Sequence, residues 1–587
     1  MKTKIIFLIG LILFLIMFNF NSALAKRGNN SEADSIYVAG QMLLQFNSQA
    51  QANKGLVSSP YLDSLNQIFS VQTFGPFYYM DSNTDMQLFQ ELGLDKICLY
   101  IFPDTLDMFY VSEQYKLSPA VNWAEPNYIY RMHLTPPDEY FPLQWGLQNT
   151  GQAPFYGTPG ADIEATRAWD INEWVPEIKI AIIDTGIDTL HYDFTGFQSQ
   201  MWHNPYEDYD GVNDDHNYAV VPGYDTCWLV DDVWGWDFTY IGYYGYCGHN
   251  SPRPTHYYGG HSHGTAVAGI AGASAFTEMP EQPEGGSGGS IGVVGVNWSC
   301  KLMSLKVFDE YGFARSTAIG FAVQYAADKG ASVINMSLGG PNYSFLINSS
   351  LTYAYERGCV LVASMGNCKY GCDTIQYPAG YDSLVIAVGA TDWNDNRWYI
   401  DSLNGSSAGR HIDVVAPGVS IMTDLWVWYP PGLHEGYVYF NRTSASAPFV
   451  SGEASLIKGQ YKKLYPSGVI TNTEIRDVIR YSAEDSMYNP VSDTMWDDSL
   501  YGYGRINVFR ALLAISRGEV NNDHSITVSD ITYLINYLTK GGPPPLPVSA
   551  MGDVNCSGQV SIADVVYLIN YLLKGGPKPP FCYKWNY

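Results

Sequence analysis

Five runs of Val, Ile, Leu and Ala constrain the fold of this chain more than any other feature. In chain order they are "IKIAIID", "SVINMSL", "CVLVASMGN", "LVIAVGATD" and "IDVVAPG". Each run is nearly continuous in apolar residues instead of alternating, which is typical of strands that are buried on both faces of a parallel sheet. Helical segments lie between them. The sequence therefore predicts an α/β domain over residues 138–516, with a parallel sheet flanked by helices.

Polar side chains lie where such a sheet would hold its chemistry. Asp184 ends the first run, His263 begins the small-residue segment "HGTAVAGIAGA", and Ser444 precedes a helical stretch. The carboxyl ends of parallel strands meet at one edge of the sheet. A serine hydroxyl becomes a nucleophile when an imidazole removes its proton and a carboxylate orients that imidazole. These residues predict a catalytic triad, with Asn367 at another strand end as an oxyanion donor.

Six motifs occur in the order found in the subtilisin-like serine proteases (subtilases). They are "IAIIDTGID", "HSHGTAVAG", "VINMSLGG", "ASMGN", "APGVSI" and "TSASAPFVSG". The chain resembles this family over residues 142–516. The resemblance implies a secreted endopeptidase that hydrolyses polypeptides through an acyl-enzyme. It also implies that Ser337, Leu338 and Gly339 form an edge to which an extended substrate adds as a strand. A competing hypothesis is an inactive binding protein on the same scaffold.

Three positions depart from the residues that are usual in this family. Arg442 stands where glycine is usual, and it would cost about 1 kcal/mol if its backbone adopts a positive φ. This residue raises the question of reduced activity. Phe449 and Ala266 stand where histidine is frequent, and we interpret both as packing positions.

The block before the predicted sheet resembles the inhibitory propeptide of the same family. It covers residues 26–137, has the length of a small α/β domain, and closes with "AEPNY". The resemblance implies a zymogen that is cleaved between about residues 126 and 144. The alternative is a permanent accessory domain. We call residues 26–137 the N-terminal domain.

An acidic, aromatic insertion separates Asp184 from His263. It contains "NDDHN" and "DDVWGWDF" and resembles the calcium-stabilised loops of some subtilases. The alternative is a surface loop that a disulfide holds in place.

The tail contains an internal repeat, because residues 518–543 recur as residues 552–577. The spacing of oxygen-bearing side chains in each copy is that of an EF-hand loop, which binds calcium. The first loop has His524 at the sharp-turn position, where the second has Gly558, so the first site should be weaker. The predicted ligands are Glu519, Asn521, Asp523, Thr527 and Asp530 in the first loop, and Asp553, Asn555, Ser557, Ser561 and Asp564 in the second.

Each loop leads into a short helix, "ITYLINYL" or "VVYLINYL". With its loops, the tail over residues 517–587 resembles a type I dockerin, a small calcium-loop helical domain. The resemblance implies calcium-dependent folding and a cohesin-like protein partner. A tail that only binds calcium is the alternative, because Ile562 and Ala563 replace the hydroxyl residues that often read a cohesin.

The chain begins with two lysines, an apolar run and the small-x-small site Ala23-Leu24-Ala25. This pattern predicts a signal peptide over residues 1–25 and a secreted product with no membrane anchor after cleavage. An uncleaved anchor is the alternative, although the run is short for a membrane span.

Export would place the nine cysteines in an oxidising compartment. We interpret Cys300 and Cys359 as buried apolar residues. Cys98 precedes the predicted enzyme and could be removed with the N-terminal domain. The pairs that we expect are Cys227 with Cys247, Cys368 with Cys372, and Cys556 with Cys582.

The formal net charge is −26. A surface this acidic argues against nucleic acid as a partner, because binding a polyanion requires positive charge. The acidity suits divalent cations.

Overall fold

A computed structural model describes residues 37–47, 59–76, 86–106, 108–128, 136–172, 178–195, 200–203, 219–220, 227–228, 234–239, 252–254, 262–275, 292–367, 375–401, 404–425, 436–484, 499–540 and 542–583. The predicted signal peptide, Cys247, Cys368, Cys372 and most of the acidic insertion lie outside these residues.

The strands of the described chain are β1 (Tyr37–Phe46), β2 (Thr73–Pro76), β3 (Ile97–Ile101), β4 (Val121–Tyr128), β5 (Lys179–Asp184), β6 (Ala219–Val220), β7 (Cys227–Trp228), β8 (Gly235–Asp237), β9 (Lys301–Lys306), β10 (Val333–Met336), β11 (Val360–Ser364), β12 (Val385–Thr391), β13 (Tyr399–Asp401), β14 (Asn404–Gly405), β15 (Val414–Pro417), β16 (Ile421–Asp424) and β17 (Tyr437–Phe440).

The α-helices of the described chain are α1 (Pro60–Ile68), α2 (Met86–Glu91), α3 (Met108–Lys116), α4 (Ala165–Trp169), α5 (Tyr192–Thr195), α6 (His263–Gly272), α7 (Ser316–Asp328), α8 (Phe345–Glu356), α9 (Thr443–Leu464), α10 (Asn472–Ser482), α11 (Val508–Ile515), α12 (Val528–Lys540) and α13 (Ile562–Lys574).

The chain divides into two compact units. One comprises Met1–Met132 with Glu519–Pro544, and the other comprises His133–Gly518 with Pro545–Tyr587. The N-terminal domain therefore shares a unit with the first repeat of the tail, whereas the second repeat shares a unit with the parallel sheet.

In the first unit, four antiparallel strands form a sheet in the order β2-β3-β1-β4. Alternate residues of β1 point inward, so Met42, Leu44 and Phe46 are buried while their neighbours are more exposed. They join a core with Leu62 of α1 and Tyr115 of α3. The N-terminal domain is thus a small α/β domain, as predicted.

In the second unit, seven parallel strands form a sheet in the order β15-β12-β11-β10-β5-β9-β8. The five apolar runs of the sequence are β5, β10, β11, β12 and β15, and they lie side by side. Their residues are buried almost without exception. The predicted fold, a parallel sheet flanked by helices, is confirmed.

Helices cover both faces of this sheet. Ala181 of β5 and Ile334 of β10 share one core with residues of α7 and α8. The next residue along β10, Asn335, points to the opposite face, where its side chain accepts a hydrogen bond of 2.9 Å from Ser451 of α9. The sheet, with Asp184 at the end of β5, therefore lies between two layers of helices.

The second repeat packs onto the same unit as the sheet. Nζ of Lys578 lies 2.8 Å from the hydroxyl of Tyr461 on α9 and 4.6 Å from the centre of its ring. The backbone N–H of Cys582 donates to the carbonyl of Ala514 on α11 over 3.2 Å. These contacts tie the end of the described chain to the sheet domain.

The cysteine predictions have different outcomes. Cys300 and Cys359 are buried thiols, and burial raises the pKa of Cys300 to about 12 and that of Cys359 to about 11. Cys556 and Cys582 are neighbours, and a hydrogen bond between their side chains raises the pKa of Cys556. The structure therefore brings the two cysteines of this predicted pair into contact as thiols. Of the other two predicted pairs, Cys247, Cys368 and Cys372 lie outside the described residues.

Candidate active site and calcium loops

Asp184 and His263 form a carboxylate–imidazole pair. Asp184 is the last residue of β5 and is fully buried, while His263 is the first residue of α6. Nδ1 of His263 lies 2.8 Å from Oδ1 of Asp184, although the two residues are 79 positions apart. The backbone N–H of Thr185 donates to the same oxygen over 2.7 Å. Oδ1 of the buried carboxylate thus takes part in two hydrogen bonds, which offset part of the cost of burial, while Oδ2 has no partner among the described residues.

The start of α6 lies close against the turn that follows β5. The N–H of Gly264 donates to Oγ1 of Thr185 over 2.9 Å. A Cβ on Gly264 would lie 2.4 Å from the carbonyl oxygen of Gly186, so only glycine allows this approach. The glycine thus lets the helix bring His263 to the strand end.

The surroundings of His263 act on its pKa in opposite directions. Burial lowers the pKa, whereas the charge and hydrogen bond of Asp184 raise it, and the net pKa lies above the ordinary value. The charge of Arg442 lowers it. The side chain is about 29% exposed, and its ring packs edge-on against Phe440 at 5.1 Å between centroids. Because Nδ1 is held by Asp184, Nε2 is the nitrogen that can accept a proton.

Ser444 is the second residue of α9 and is nearly buried. Phe440 and Arg442 precede it and act on His263, so the start of α9 lies beside the imidazole. The Ser444 hydroxyl donates to the carbonyl of Ser337 over 3.3 Å. The structure thus joins Asp184 to His263, and it directs the Ser444 hydroxyl to Ser337 instead of His263.

The missing N–H of Pro448 leaves the carbonyl of Ser444 free to bind Ser337. Helix α9 begins at Thr443, so Pro448 lies in its second turn. A proline has no N–H, so the carbonyl four residues earlier, that of Ser444, receives no helical hydrogen bond. The hydroxyl of Ser337 donates to that carbonyl over 3.0 Å. The two serines therefore exchange hydrogen bonds.

Two residues that sequence reasoning missed extend this network. The side-chain amide of Asn335 donates to Oγ of Ser337 over 3.0 Å, and Ser451 donates to Oδ1 of Asn335 over 2.9 Å. All three side chains are buried. An asparagine inside an otherwise apolar strand is the signal that could have revealed them, because a buried amide requires partners.

Asn367 follows β11 and is held by the start of α9. Its Oδ1 accepts hydrogen bonds from the N–H of Thr443, over 3.1 Å, and from the Thr443 hydroxyl, over 2.9 Å. This fixes the carboxamide, so its NH₂ group points away from Thr443. Within the described residues, that group donates no hydrogen bond.

The predicted substrate edge extends β10 beyond its last sheet residue. Ser337, Leu338 and Gly339 follow Met336, and the next residue, Gly340, pairs with Tyr377 through two backbone hydrogen bonds of 3.0 and 2.8 Å. Leu338 is only 8% exposed. Leu338 and Gly339 therefore continue from Ser337 beyond the carboxyl end of β10.

The first calcium loop gathers carboxylates. Glu519 accepts the N–H of Asp523 over 3.1 Å, and Asp530 accepts the N–H of Thr527 over 2.7 Å. Burial, together with repulsion from neighbouring carboxylates, raises the pKa of both Glu519 and Asp530. The side chain of Asn521 donates to Asp523 over 3.1 Å, which completes the predicted ligand set.

The second loop repeats this arrangement. Asp553 accepts the N–H of Ser557 over 2.9 Å, and Asp564 accepts the N–H of Ser561 over 2.8 Å. Asn555 accepts the N–H of Ser557 over 2.9 Å. The structure thus brings together the predicted residues of each loop around a buried carboxylate at its last position.

The sharp-turn positions of the two loops differ in residue but agree in backbone. His524 has a φ of 60° and Gly558 has a φ of 91°. Glycine adopts a positive φ at no steric cost, whereas histidine does not. The donor set of each loop is made of oxygen atoms and includes carboxylates, which fits calcium.

Comparison with known proteins identifies the chain. The sequence pattern of the subtilase family matches residues 176–504, more than half of the chain, and that of the type I dockerin domain matches residues 517–573. The chain belongs to the subtilase family.

Relatives of this subtilase are serine proteinases. The thermophilic serine proteinase of Bacillus sp. (strain AK1) is 29% identical over 67% of this chain and 73% of its own length. Thermitase of Thermoactinomyces vulgaris is 29% identical over 64% of this chain and 99% of its own. Fervidolysin of Fervidobacterium pennivorans shares 21% identity over 83% of this chain and 62% of its own, at a TM-score of 0.42, which is too low to bear on function.

The protein is thus a subtilisin-like serine endopeptidase that carries a type I dockerin domain. Domains of the latter class bind calcium. Among the described residues of this subtilase, no helix has both the length and the apolar character needed to span a membrane.

The subtilase accommodates its three unusual residues in different ways. Arg442 has a φ of 84° and a ψ of −179°, a backbone region that is almost restricted to glycine. It therefore carries the strain that the sequence suggested. Phe449 and Ala266 are buried, which agrees with their interpretation as packing positions.

Apart from the two loops of the tail, one cluster of side chains in the subtilase domain could hold a metal ion. Sequence reasoning missed this cluster. His191, Asp193 and Asp424 are fully buried, and one ligand atom from each lies within 4.8 Å of the others. Burial and the proximity of Asp193 raise the pKa of Asp424. The sequence separates Asp424 from the other two residues by more than 200 positions, so no local spacing signals this cluster.

Proposed function

We propose that this subtilase hydrolyses peptide bonds through a triad of Asp184, His263 and Ser444. The observation that carries the proposal is the 2.8 Å hydrogen bond between the buried carboxylate of Asp184 and Nδ1 of His263. That bond fixes the tautomer and orientation of the imidazole and leaves Nε2 as the general base. The ring of Phe440, four residues before Ser444, packs against the imidazole with 5.1 Å between the centroids, which supports Ser444 as the nucleophile.

In the proposed reaction the Ser444 hydroxyl turns from Ser337 to Nε2 of His263. His263 removes the proton as the serine oxygen attacks the peptide carbonyl, and Asp184 stays ionised and stabilises the imidazolium. His263 then passes the proton to the leaving amine, and an acyl-enzyme remains. A water molecule, deprotonated by the same imidazole, hydrolyses the acyl-enzyme.

The oxyanion of the tetrahedral intermediate would be bound by the NH₂ group of Asn367 and the backbone N–H of Ser444. Support comes from the two hydrogen bonds that Thr443 gives to Oδ1 of Asn367, since they orient the amide before substrate arrives. A preorganised donor of this kind contributes about 3 kcal/mol to the transition state.

An extended polypeptide substrate would pair with Ser337, Leu338 and Gly339. These residues prolong a sheet strand and lie next to the hydrogen bonds of Ser444. Pairing along this edge would present the scissile carbonyl to Ser444.

We further propose that the protein is a secreted zymogen. Residues 1–25 would be its signal peptide, residues 26–137 an inhibitory propeptide cleaved between about residues 126 and 144, and residues 138–516 the catalytic domain. The pattern of charged, apolar and small residues at the amino terminus supports export. The small α/β fold of the N-terminal domain supports the second assignment.

The dockerin-like domain, residues 517–587, would bind calcium at the ten loop residues and dock to a cohesin-like partner. The oxygen donors and buried carboxylates of both loops support calcium. A bound cation supplies the positive charge that neutralises these carboxylates. The loop residues themselves orient the carboxylates through their backbone N–H groups.

A serine-directed phosphonate tests the triad, because labelling requires an activated hydroxyl. Ser444→Ala should abolish both labelling and peptide cleavage while leaving the melting temperature nearly unchanged. Ser446→Ala is the matched control, since it also removes a buried hydroxyl from α9. That hydroxyl donates to the carbonyls of Ala416 and Pro417 and not to a residue of the proposed triad.

Mass spectrometry of the secreted product, which gives its amino terminus and its labelled residue, tests export and maturation together. Cleavage that persists in Ser444→Ala, or a label on another residue, would remove the triad assignment. A product that keeps residues 26–137 would remove the zymogen assignment alone.

A further inference from the structure

The N-terminal domain and the first repeat of the tail share an interface within one compact unit. Helix α3 packs against helix α12. The rings of Phe109 and Tyr533 meet edge to face, with 5.5 Å between their centroids and 77° between their planes. Phe109 is 6% exposed and Tyr533 is 4% exposed. Two aromatic side chains are therefore removed from water by a contact between segments more than 400 residues apart.

An ion pair lies beside the aromatic contact. The carboxylate of Glu113 binds Lys116 of its own helix at 2.8 Å and Lys540 of α12 at 2.6 Å. Burial raises the pKa of Glu113, but the two lysines outweigh it, and the net pKa is lowered. The Glu113 side chain is only 8% exposed, so it would be costly to leave without these partners.

The two contacts form one surface. Phe109 and Glu113 are four residues apart on α3 and therefore lie on the same face of that helix. Tyr533 and Lys540 are seven residues apart on α12, which also places them on one face. Each helix thus presents an aromatic ring and a charge to the other.

The second repeat has the same residues without these contacts. Tyr567 and Lys574 occupy the positions of Tyr533 and Lys540. The hydroxyls of the two tyrosines make equivalent hydrogen bonds, to the carbonyl of Pro544 over 3.0 Å and to that of Lys578 over 3.2 Å. Lys574 is exposed and forms no ion pair with a described carboxylate. The α3 contact is thus a property of the first repeat alone.

We propose that the first repeat is a docking surface for the N-terminal domain and retains this domain after the chain between them is cleaved. The inference rests on the proposed function, in that cleavage near residues 126–144 makes the N-terminal domain a separate polypeptide. The tail then carries its own inhibitory domain as a bound partner. A protein that binds the same face of α12 must displace that domain.

The experiment uses the full chain with Ser444→Ala, a C-terminal affinity tag, and the recognition sequence of a site-specific protease in place of residues 129–135. After cleavage by the added protease in the presence of calcium, the immobilised protein is washed and release of the N-terminal domain is followed over time. Tyr533→Ala and Lys540→Ala are compared with their counterparts in the second repeat, Tyr567→Ala and Lys574→Ala.

Release should be about tenfold faster or more in both first-repeat variants, because Tyr533→Ala removes a buried ring and Lys540→Ala removes a partner of the nearly buried Glu113 carboxylate. The second-repeat variants should stay within about twofold of the parent. Salt at 1 M should accelerate release from the parent and have little effect on Lys540→Ala, since the ion pair is screened. Equal release from the first-repeat and second-repeat variants would overturn the proposal.

Glu113→Gln controls for the possibility that the Tyr533 or Lys540 variant does not fold its repeat. It changes the N-terminal domain side of the contact and leaves the first repeat unaltered. It should accelerate release as much as Lys540→Ala does, and the double variant should release no faster than either single variant. Additive effects would show that the two residues act separately. The added protease makes the result independent of Ser444 and of natural processing, so failure of the proposed function would leave this outcome unchanged.

Discussion

Two regions of the molecule bury carboxylates and deal with them in different ways. Asp184 is fully buried and faces the imidazole of His263, which the fold brings from 79 residues away. In the first calcium loop, Glu519 and Asp530 are also buried, but they lie near other carboxylates, and burial with this repulsion raises their pKa. In the first region the chain itself supplies the partner, whereas in the second the partner would be a cation from solution.

The difference teaches which parts of the protein depend on the medium. The Asp184–His263 pair is complete once the sheet and α6 have folded, so a chelator removes none of its parts. The loops collect their ligands within twelve residues, and their charge is balanced only when a cation is bound. We therefore expect damage to one region to leave the other intact.

The largest effect on kcat should come from removing the negative charge of the Asp184–His263 pair, which we call the fold-supplied pair because the chain provides both partners. Asp184→Asn should lower kcat by about four orders of magnitude, because an amide can hold the imidazole in the wrong tautomer and cannot stabilise its cation. The calcium content and the melting temperature in calcium should change little. Peptide hydrolysis by the processed protein measures kcat, and elemental analysis measures bound calcium.

Processing by an added protease keeps this test valid if the variant cannot mature by itself. Asp188→Asn is a control of the same chemistry, since Asp188 is a buried aspartate that pairs with Arg253 instead of His263. A kcat of Asp184→Asn within tenfold of the parent would show that the pair does not orient a catalytic base.

The next largest effect should come from the loops. Asp530→Ala and Asp564→Ala should each lose one bound calcium ion, and a site that is saturated a hundredfold above its Kd stabilises its fold by about 2.7 kcal/mol. Asp564→Ala should lower the melting temperature of the catalytic domain, because the second repeat belongs to the same compact unit. Asp530→Ala should not. Calorimetry with and without a chelator measures both.

The comparison between the two regions also predicts that kcat stays within about twofold in both loop variants. A tenfold loss of kcat on chelation would contradict it, because the active site would then depend on a cation. Ser525→Ala is a useful control in the first loop, since this residue lies between two predicted ligands without being one.

The same comparison explains how much the sequence could predict. Asp184 and His263 were recognisable because parallel strands end at one edge of the sheet, so residues distant in sequence converge there. The loop ligands were recognisable because their spacing is local. Strand-end position thus predicts one site, and local spacing within a loop predicts the other.

Other features have no local signal. Asn335 holds Ser337 and is itself held by Ser451, but these three residues lie in different segments of the chain, so their contacts cannot be read from spacing. The second-turn position of Pro448 depends on where α9 begins, and the residue before that helix, Arg442, has a backbone conformation that its identity does not signal. The ion pair of Glu113 with Lys540 joins residues 427 positions apart, and the repeat gives no reason to favour Lys540 over Lys574.

A smaller effect should come from exchanging the sharp-turn residues of the two loops. His524→Gly should raise calcium affinity at the first loop by about fivefold, because glycine relieves about 1 kcal/mol of strain at a positive φ. Gly558→His should lower affinity at the second loop by a similar factor. Calcium titration of each variant by calorimetry measures these constants. Unchanged affinities would show that the turn residue does not distinguish the loops.

The smallest effect should come from Arg442, whose charge and backbone can be separated. The proposed base works when neutral, so activity is present above the pKa of His263 and is lost as the pH falls through it. Asp184 raises that pKa and Arg442 lowers it. Arg442→Gly should therefore raise the pKa further and move the acid limb of kcat/KM to higher pH, by a small amount because Arg442 is exposed and screened.

Arg442→Ala separates the two roles, because it removes the same charge but keeps a Cβ at a φ of 84°. Both variants should shift the acid limb equally, while only Arg442→Gly should gain about 1 kcal/mol in the free energy of unfolding. Rate profiles from pH 5 to 9 and denaturant titrations measure the two quantities. An acid limb that moves in neither variant would mean that the imidazole of His263 does not control the rate. The electrostatic account of the fold-supplied pair would then fail, although its geometry would stand.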